Sequence, residues 1–282
     1  MSLTEFIADR SRCKTILALV GAGLSAGSGL DTFRGAGGLW NNYNAMDLAT
    51  PDAFERDPCL VWQFYAYRRH CALKAKPNSG HKALSQLSRL SLDPESRLSF
   101  LTLTQNVDGL SARAGHDKRA LLELHGSLFS VKCTSFECAY KNDFNMDDPL
   151  VPALSVPDSG DYLPDPSLSP EDLPHCPRCK TGLLRPGVVW FGEPLPFRVI
   201  DMADEFIMFK KVDLMLVIGT SLTVWPAAGY VDMVKSRGGR IAIFNTETSS
   251  ECEWSVEGNA AETLPKALEP LLGMEYLKDD ND

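Results

Sequence analysis

The sequence predicts an α/β fold built on a parallel sheet, and three observations predict it. Four apolar, β-branched runs, TILALV, LSFLTLTQN, KVDLMLVIGTS and GGRIAIFNTE, end in or pass into polar or small residues. Helical stretches lie between them, among them SGHKALSQLSRL and VIDMADEFIMFKKV, the latter with apolar residues at helical spacing. The first run passes directly into a glycine-rich turn and a helix start, GAGLSAGSGL. Strands alternating with helices argue for a parallel sheet. The polar strand ends then fall at the carboxyl edge, where open α/β sheets bind ligands.

Two segments interrupt the alternation. Residues 41–80 are an aromatic-rich helical insertion containing VWQFYAYRRH, where Arg68 stands three residues after Tyr65 and so shares a helix face with it. Residues 131–182 carry two cysteine pairs around a Pro-, Asp- and Ser-rich stretch, DDPLVPALSVPDSGDYLPDPSLSPEDLP. That stretch has little from which to build a core and is expected on the surface.

Composition sets the outer limits. The 282 residues, 44% of them hydrophobic, suffice for one large domain or a large one with a smaller partner. A formal net charge of -9 opposes a function that rests on neutralising nucleic-acid phosphates, so no nucleic-acid partner is expected; basic proteins remain compatible. The N-terminus lacks both the apolar core, roughly 7–15 residues long, of a secretory signal and the Arg enrichment of a transit peptide. No run reaches the roughly 18–20 apolar residues that span a bilayer, so no membrane partner is expected. Four of the eight cysteines, Cys13, Cys59, Cys71 and Cys252, are scattered singly, which favours reduced thiols. A mitochondrial, cytoplasmic or nuclear setting is expected.

The glycine turn is the first motif with chemistry. Glycines after a strand let the backbone approach a pyrophosphate at a helix N-terminus. The spacing Gly21-x-Gly23-x3-Gly27 differs from the G-x-G-x-x-G of hydride-transfer sites, and no acidic residue closes a second strand about twenty positions on. Phe33 and Arg34 add a lid-like aromatic and a fixed cation just past the loop, and a purely structural turn needs neither. At the next strand end, TQNVDGL offers Gln105, Asn106 and Asp108, two amides and a carboxylate able to bind ribose hydroxyls or a carboxamide. His125 follows in LLELHGSL. Alone in an apolar setting it reads as a structural histidine; beside a polar strand end it reads as a base for a hydroxyl proton near neutral pH.

The cysteine pairs are the most specific signal. Cys133-x4-Cys138 and, after 37 intervening residues, Cys176-x2-Cys179 match a four-thiolate zinc site. Four thiolates leave no open coordination position, so the metal is expected to be structural. Weaker motifs are RPGVVWFGE (185–193), GTSLTVWPAAG (219–229) and FNTE, in which Asn245 and Glu247 close a strand.

Taken in order, these motifs resemble those of the sirtuins, the NAD-dependent protein deacylases, over about residues 14–268. The resemblance implies a Rossmann-like NAD-binding domain (residues 1–40, 81–130 and 183–282) and a smaller domain. The smaller domain would combine a helical module (41–80) with a four-cysteine zinc-binding module (131–182). It also implies NAD consumed as a co-substrate, one structural zinc ion, and acyl-lysine proteins or peptides as partners, meeting NAD in the cleft between the domains. A monomer is the expected state.

Carried over by motif, Gly21, Ala22, Gly23, Ala26, Phe33 and Arg34 line the NAD site. Gln105, Asn106 and Asp108 hold the nicotinamide ribose and carboxamide, Asn106 counting as catalytic beside the base His125. Gly219, Thr220, Ser221, Asn245 and Glu247 take the adenosine side, with Ala260 where related chains place a cysteine near the adenine. Val189, Trp190, Phe191, Gly192 and Glu193 bind the substrate peptide as an added strand, through the main chain. The implied reaction begins as nicotinamide leaves the ribose C1′ and the acyl oxygen attacks. His125 then deprotonates the ribose hydroxyls, and the 2′-oxygen attacks the amidate carbon. Water then opens the resulting intermediate, and free lysine, nicotinamide and O-acyl-ADP-ribose result. No hydride moves, which accounts for the missing ribose-binding acid. Departures from the family pattern include Asp31 for Pro, Gly187 where relatives often have His, and the order of the cysteine spacings.

One branch of the family, which removes succinyl, malonyl and glutaryl groups, carries a Tyr-x-x-Arg pair in the helical insertion. Tyr65 and Arg68 match it, Ala45 stands at the small-residue position of the same pocket, and Thr32 fits the branch. Burying an acyl carboxylate unpaired costs several kcal/mol, so a partner is required. Arginine supplies planar bidentate donors and stays charged. The alternatives are a deacetylase or decrotonylase of uncharged acyl-lysine, or a mono-ADP-ribosyltransferase on the same NAD site. A zinc-ribbon interaction module and a Rossmann dehydrogenase fit less well.

Overall fold

In the computed structural model, which describes residues 1–32, 38–158, 162–250 and 252–273, the chain opens with a short helix, α1 (Leu3–Ala8). Strand β1 (Thr15–Val20) follows and is buried along its whole length, as expected for a strand covered on both faces. A single helical turn, α2 (Ala22–Ala26), leads to the helical insertion. There the hairpin strands β2 (Leu39–Trp40) and β3 (Tyr43–Asn44) precede α3 (Ala45–Leu48), α4 (Pro51–Arg56) and α5 (Pro58–Lys74). Each helix start is written in the sequence. The side chains of Asn44, Thr50 and Asp57 accept from the backbone N–H groups of Met46, Ala53 and Leu60, and prolines open α4 and α5.

The chain then returns through α6 (Ser79–Leu90) to β4 (Ser99–Thr104), α7 (Leu110–Arg113) and β5 (Leu121–Glu123). Strands β6 (Gly126–Cys133), β7 (Lys141–Asn142) and β8 (Leu184–Val188) form a separate antiparallel sheet in the order β7-β6-β8. Helix α8 (Phe197–Phe209), β9 (Leu214–Ile218), α9 (Gly229–Ser236), β10 (Arg240–Asn245), β11 (Trp254–Glu257) and α10 (Ala260–Leu272) complete the described chain.

The main sheet has six parallel strands in the order β11-β10-β9-β1-β4-β5. Counted along the chain, that is 3-2-1-4-5-6 read from the β5 edge, the order of a Rossmann fold. The connection reverses direction between β1 and β9, so a crevice opens at their carboxyl ends. Alternate residues of the central strands serve opposite faces. Ile16, Ala18 and Val20 join Leu214, Leu216 and Phe244 under α1, α6 and α10, while Leu17, Leu19, Met215, Val217 and Ile243 pack under α8 and α9.

A third apolar cluster joins the helical insertion to the cysteine-bearing segment. Trp62 and Phe64 of α5 meet Leu128, Phe129, Val131, Leu184 and Val188 there, and Trp62 Nε1 donates to the Leu184 carbonyl at 2.8 Å. Arg69 is buried with them and donates to the carbonyls of Leu128, Asn145 and Asp147.

The structure corrects one expectation. The Pro-rich segment is not merely a surface excursion, because Leu154 and Leu173 are buried against α5. Short 3-10 turns at Pro152–Leu154 and Pro170–Asp172 set up these anchors. Gln63 holds the chain between them, donating to Asp165 O at 3.3 Å and accepting from Asp165 N at 2.5 Å. A few spaced leucines and one buried amide suffice where composition alone points to solvent. Two sheet strands also go unnamed by the apolar runs. β5 has only three residues, and β11, at the sheet edge, alternates between half-buried and exposed.

Candidate active site

The crevice at the switch point is floored by two glycine turns in direct contact. Gly23 N donates to Gly219 O at 2.9 Å. A methyl group at Gly21 would stand 2.6 Å from that same oxygen, and Gly219 itself has φ +58°, a left-handed conformation that favours glycine. The glycines after β1 and β9 therefore allow the two loops to meet and leave backbone, not side chains, facing the crevice.

Polar side chains from the neighbouring strand ends are tied to this floor. Asn106 Nδ2 donates to Gly21 O at 3.0 Å and to Ser25 Oγ at 3.1 Å. Ser25 Oγ in turn donates to Asp108 Oδ2 at 2.6 Å, and Asp108 Oδ1 accepts from Leu110 N at 2.8 Å. Gln105 Nε2 donates to Thr220 Oγ1 at 3.1 Å, and Asn245 Nδ2 to Thr220 O at 3.4 Å. Ser25 and His81 carry this network although neither stood out in the sequence. His81 Nδ1 accepts from Asn78 N, so Nε2 bears the proton and faces Ser25 Oγ at 3.4 Å. Burial pushes the His81 imidazole down to about 4, leaving it neutral. The signal for Ser25 was its place inside the glycine motif. The signal for His81 was its position three residues after the helix cap Asn78.

His125 sits immediately before β6. Its Nδ1 lies 3.0 Å from Gln105 O, and a carbonyl only accepts, so Nδ1 carries the hydrogen and Nε2 is the basic nitrogen. Burial lowers the imidazole's pKa below its ordinary value, against the opposing pull of the Gln105 carbonyl. A neutral, oriented imidazole is what proton removal near neutral pH requires.

The opposite wall is supplied by α5 and the segment after β8. Tyr65 is buried, and its oxygen accepts from Trp190 Nε1 at 3.0 Å. Burial pushes the phenol up to about 12, with the Arg68 charge opposing, so Tyr65 remains protonated. Arg68 lies one turn on from Tyr65. Burial lowers its pKa, while Tyr65, Asp108 and Asp31 act to hold its charge. Phe191 N donates to Ala49 O and Val189 N to His125 O, which fixes the strand against both the insertion and the histidine.

A cleft of about 870 Å³ joins these walls. Gly21, Ala22, Gly23, Ala26, Gln105, Asn106, Asp108, Gly219, Thr220, Ser221, Asn245, Glu247 and Ala260 line it on the sheet side, with His125 among them. Ala45, Tyr65, Arg68 and the run from Val189 to Glu193 line it on the other side. Phe33 and Arg34 lie outside the described residues. The structure also adds Trp40, Phe64, Tyr67, Cys71 and Trp225 to the walls, residues that helical and strand patterning reads only as core or loop. Trp190 and Glu193 differ from the sequence reading, which uses them through their backbone. Trp190 is 3% exposed, and Glu193 is held by Arg185 at 2.6 and 2.9 Å. Gly187 also gains a reason, because a methyl there would stand 2.3 Å from Ser130 Oγ and 2.5 Å from its Cβ.

Away from the cleft, the sulfurs of Cys133, Cys138, Cys176 and Cys179 all lie within 4.8 Å of one another. The Cys133–Cys179 and Cys138–Cys176 separations are both 3.7 Å. A tetrahedron with zinc–sulfur bonds of about 2.3 Å has edges of roughly 3.8 Å, so the four thiols fit zinc. Ser135 N and Gly182 N donate to Cys133 and Cys179 Sγ, as suits metal-bound thiolates. Among the described residues, no helix is long and apolar enough to cross a membrane.

Comparison with known proteins agrees with this geometry. Residues 21–226 match the model of the Sir2 family. The chain is 49% identical to an NAD-dependent protein deacylase of Candida albicans, with 96% of this chain and 98% of the relative covered. It is 43% identical to the NAD-dependent protein deacylase sirtuin-5, mitochondrial, of Canis lupus familiaris, covering 95% of this chain and 86% of that protein. Among solved structures, a Sir2 homologue in complex with NAD superposes with a TM-score of 0.76 at 38% identity, covering 95% of this chain and 91% of that one. A mutant Sir2 homologue in complex with ADP-ribose does so with a TM-score of 0.76 at 37% identity over 96% of each chain. The Rossmann-order sheet, the glycine crevice, the half-buried His125 imidazole and the four-thiol cluster, together with these matches, place the chain in the Sir2 family.

Proposed function

We propose that this chain, an NAD-dependent protein-lysine deacylase, has an acyl pocket built for groups ending in a carboxylate. The observation that carries the acyl preference is the pairing of Tyr65 and Arg68 on one face of α5, both lining the cleft that His125 also lines. An acetyl group brings no charge to this pair. A succinyl, malonyl or glutaryl group brings a carboxylate that a guanidinium and a protonated phenol satisfy with charge-assisted hydrogen bonds. Ala45, small and buried in the same wall, leaves the acyl chain its room.

The residues divide the chemistry between them. NAD is the second substrate; the glycine turns and Thr220, Ser221, Asn245, Glu247 and Ala260 take its adenosine and phosphate portions. Gln105, Asn106 and Asp108, already oriented by their hydrogen bonds, hold its nicotinamide ribose and carboxamide. His125 Nε2 receives the ribose hydroxyl proton while Gln105 O keeps the ring turned toward the cleft. The acylated peptide lies along Val189–Glu193 as an added strand. The zinc site is structural and holds the ends of β6 and β8 together.

The domain division read from the sequence is part of this proposal. It is supported by the separate apolar cluster that binds the helical and cysteine-bearing modules to each other. We further propose a monomer with no nucleic-acid or membrane partner, to be checked by sedimentation. The mitochondrial name of the canine relative favours the mitochondrion among the three expected compartments, which imaging of the tagged protein tests.

The deciding experiment is one peptide bearing acetyl, crotonyl, malonyl, succinyl or glutaryl lysine, incubated with and without NAD and read by mass spectrometry. The acidic acyl groups are expected to be removed fastest, with nicotinamide and O-acyl-ADP-ribose formed in step. Faster deacetylation than desuccinylation refutes the acyl assignment. ADP-ribose attached to protein instead of acyl-ADP-ribose refutes the deacylase.

A further inference from the structure

Trp190 lies 125 residues from Tyr65 in sequence, yet the two side chains are joined. Indole nitrogen only donates, so in this contact the Tyr65 oxygen accepts. Among the described residues, no acceptor takes the hydrogen that Tyr65 itself carries. The indole is in turn fixed on several sides. The Arg185 guanidinium lies 3.3 Å from its ring centroid, and Arg185 grips Glu193 with both terminal nitrogens. Glu193 Oε2 accepts from Trp190 N at 2.9 Å, and Phe54 packs at 5.2 Å. A guanidinium over an indole face is a favourable cation–π contact as well as a steric brace.

We infer that Trp190 is a positioning residue for acyl recognition: its indole N–H occupies the acceptor side of the Tyr65 oxygen, so the phenol meets the bound acyl carboxylate as a donor. The inference rests on the acidic-acyl reading above and deepens it. The peptide-binding strand and the acyl pocket then form one device, braced by the Arg185–Glu193 pair. A phenol without this neighbour turns its hydroxyl among several partners and loses rotational freedom when the carboxylate binds. Here that freedom is restricted before binding, which favours affinity. The high pKa of Tyr65 is consistent with a phenol that stays a donor at neutral pH.

The test is a double-mutant cycle. KM and kcat are measured on succinyl- and acetyl-lysine forms of one peptide for wild type, Trp190→Phe, Tyr65→Phe and the double variant. Trp190→Phe keeps an aromatic ring beneath Arg185 and removes only the N–H and part of the ring. It is expected to raise KM for the succinyl peptide about fivefold more than KM for the acetyl peptide, with a smaller change in kcat. Tyr65→Phe is expected to lower the succinyl-to-acetyl ratio of kcat/KM about tenfold in wild type but only about twofold beside Trp190→Phe. Additive losses, or an equal KM rise on both peptides, overturn the inference. Arg185→Lys keeps the charge and the indole N–H but loses the flat brace, and it should shift the ratio in the same direction by less. If Trp190→Phe does not fold, an unchanged ratio in Arg185→Lys overturns the inference. Arg68→Met in the same panel separates the two levels. No selectivity change there removes the acidic-acyl reading, whereas a selective loss with an additive Trp190–Tyr65 cycle removes only the role of Trp190.

Discussion

Replacing Arg68 by methionine keeps an unbranched apolar stem and removes the guanidinium with its charge and donors. Arg68 lines the cleft and is partly open to it, so the deep-interior cost of breaking a buried ion pair, about 3–5 kcal/mol, is an upper bound. Each hydrogen bond to a charged group contributes about 1.5–3 kcal/mol, and a guanidinium offers a carboxylate two. Discounting for access of water, a loss of about 2–4 kcal/mol follows, or roughly 30- to 1,000-fold in kcat/KM on succinyl-lysine, carried mainly by KM. Arg68 also interacts with Asp108 and Asp31, so its removal unsettles the NAD side as well. The acetyl-lysine form of the same peptide measures that collateral effect, because it carries no charge for Arg68 to bind. The assay is therefore steady-state release of nicotinamide on both peptides at saturating NAD. A fall of the same size on both refutes the assignment of Arg68 to the acyl carboxylate.

Other outcomes follow from the same geometry. His125→Ala should abolish turnover on every acyl peptide while leaving NAD binding measurable by calorimetry; retained deacylation rules His125 out as the base. Because burial lowers the His125 pKa, its basic form persists below the ordinary imidazole range, so the acid limb of kcat/KM should lie below pH 6.5. Stability should follow pH in the sense set by His81. Its folded pKa of about 4 lies below the unfolded 6.5, so the unfolded chain takes up the proton first as pH falls. The stabilisation is full above about 6.5, is lost between about 6.5 and 4, and amounts to on the order of 3 kcal/mol; His81→Gln should flatten that part of a denaturation-versus-pH profile. Strong chelators should release one zinc per chain and lower the melting temperature; metal loss without destabilisation would contradict a structural role. Gly219→Ala should raise KM for NAD, since the added methyl would lie 2.5 Å from Leu24 N at a φ of +58°.

Much of the site was legible because it is written in short-range pattern. Apolar-rich, β-branched runs gave β1, β4, β9 and β10, since a strand covered on both faces is predominantly apolar. The glycines marked the loops that had to meet, and the cysteine spacings announced four convergent thiols. Asn106, Asp108 and His125 could be chosen because they follow strands whose carboxyl ends must face a common crevice. What stayed illegible depends on contacts between distant segments. Leu154 and Leu173 anchor a segment whose composition points to solvent, and only the position of α5 makes them core.

The tandem arginines of VWQFYAYRRH show the division most clearly. By itself the sequence determined that a helix passes here and that Tyr65 and Arg68 share one of its faces, because a turn of 3.6 residues brings positions three apart together. Helical spacing did not determine which face meets the cleft; the resemblance to the acidic-acyl branch pointed to the Tyr65–Arg68 face. The tertiary structure turned Arg68 toward the cleft and buried Arg69, 2% exposed, against carbonyls of the neighbouring strand and loop. It likewise joined Trp190 to Tyr65 across 125 positions. Local spacing fixes which residues are neighbours along a helix or strand. The phase of that element against the rest of the chain is set by packing, and only packing made one arginine part of the pocket and the other part of its frame.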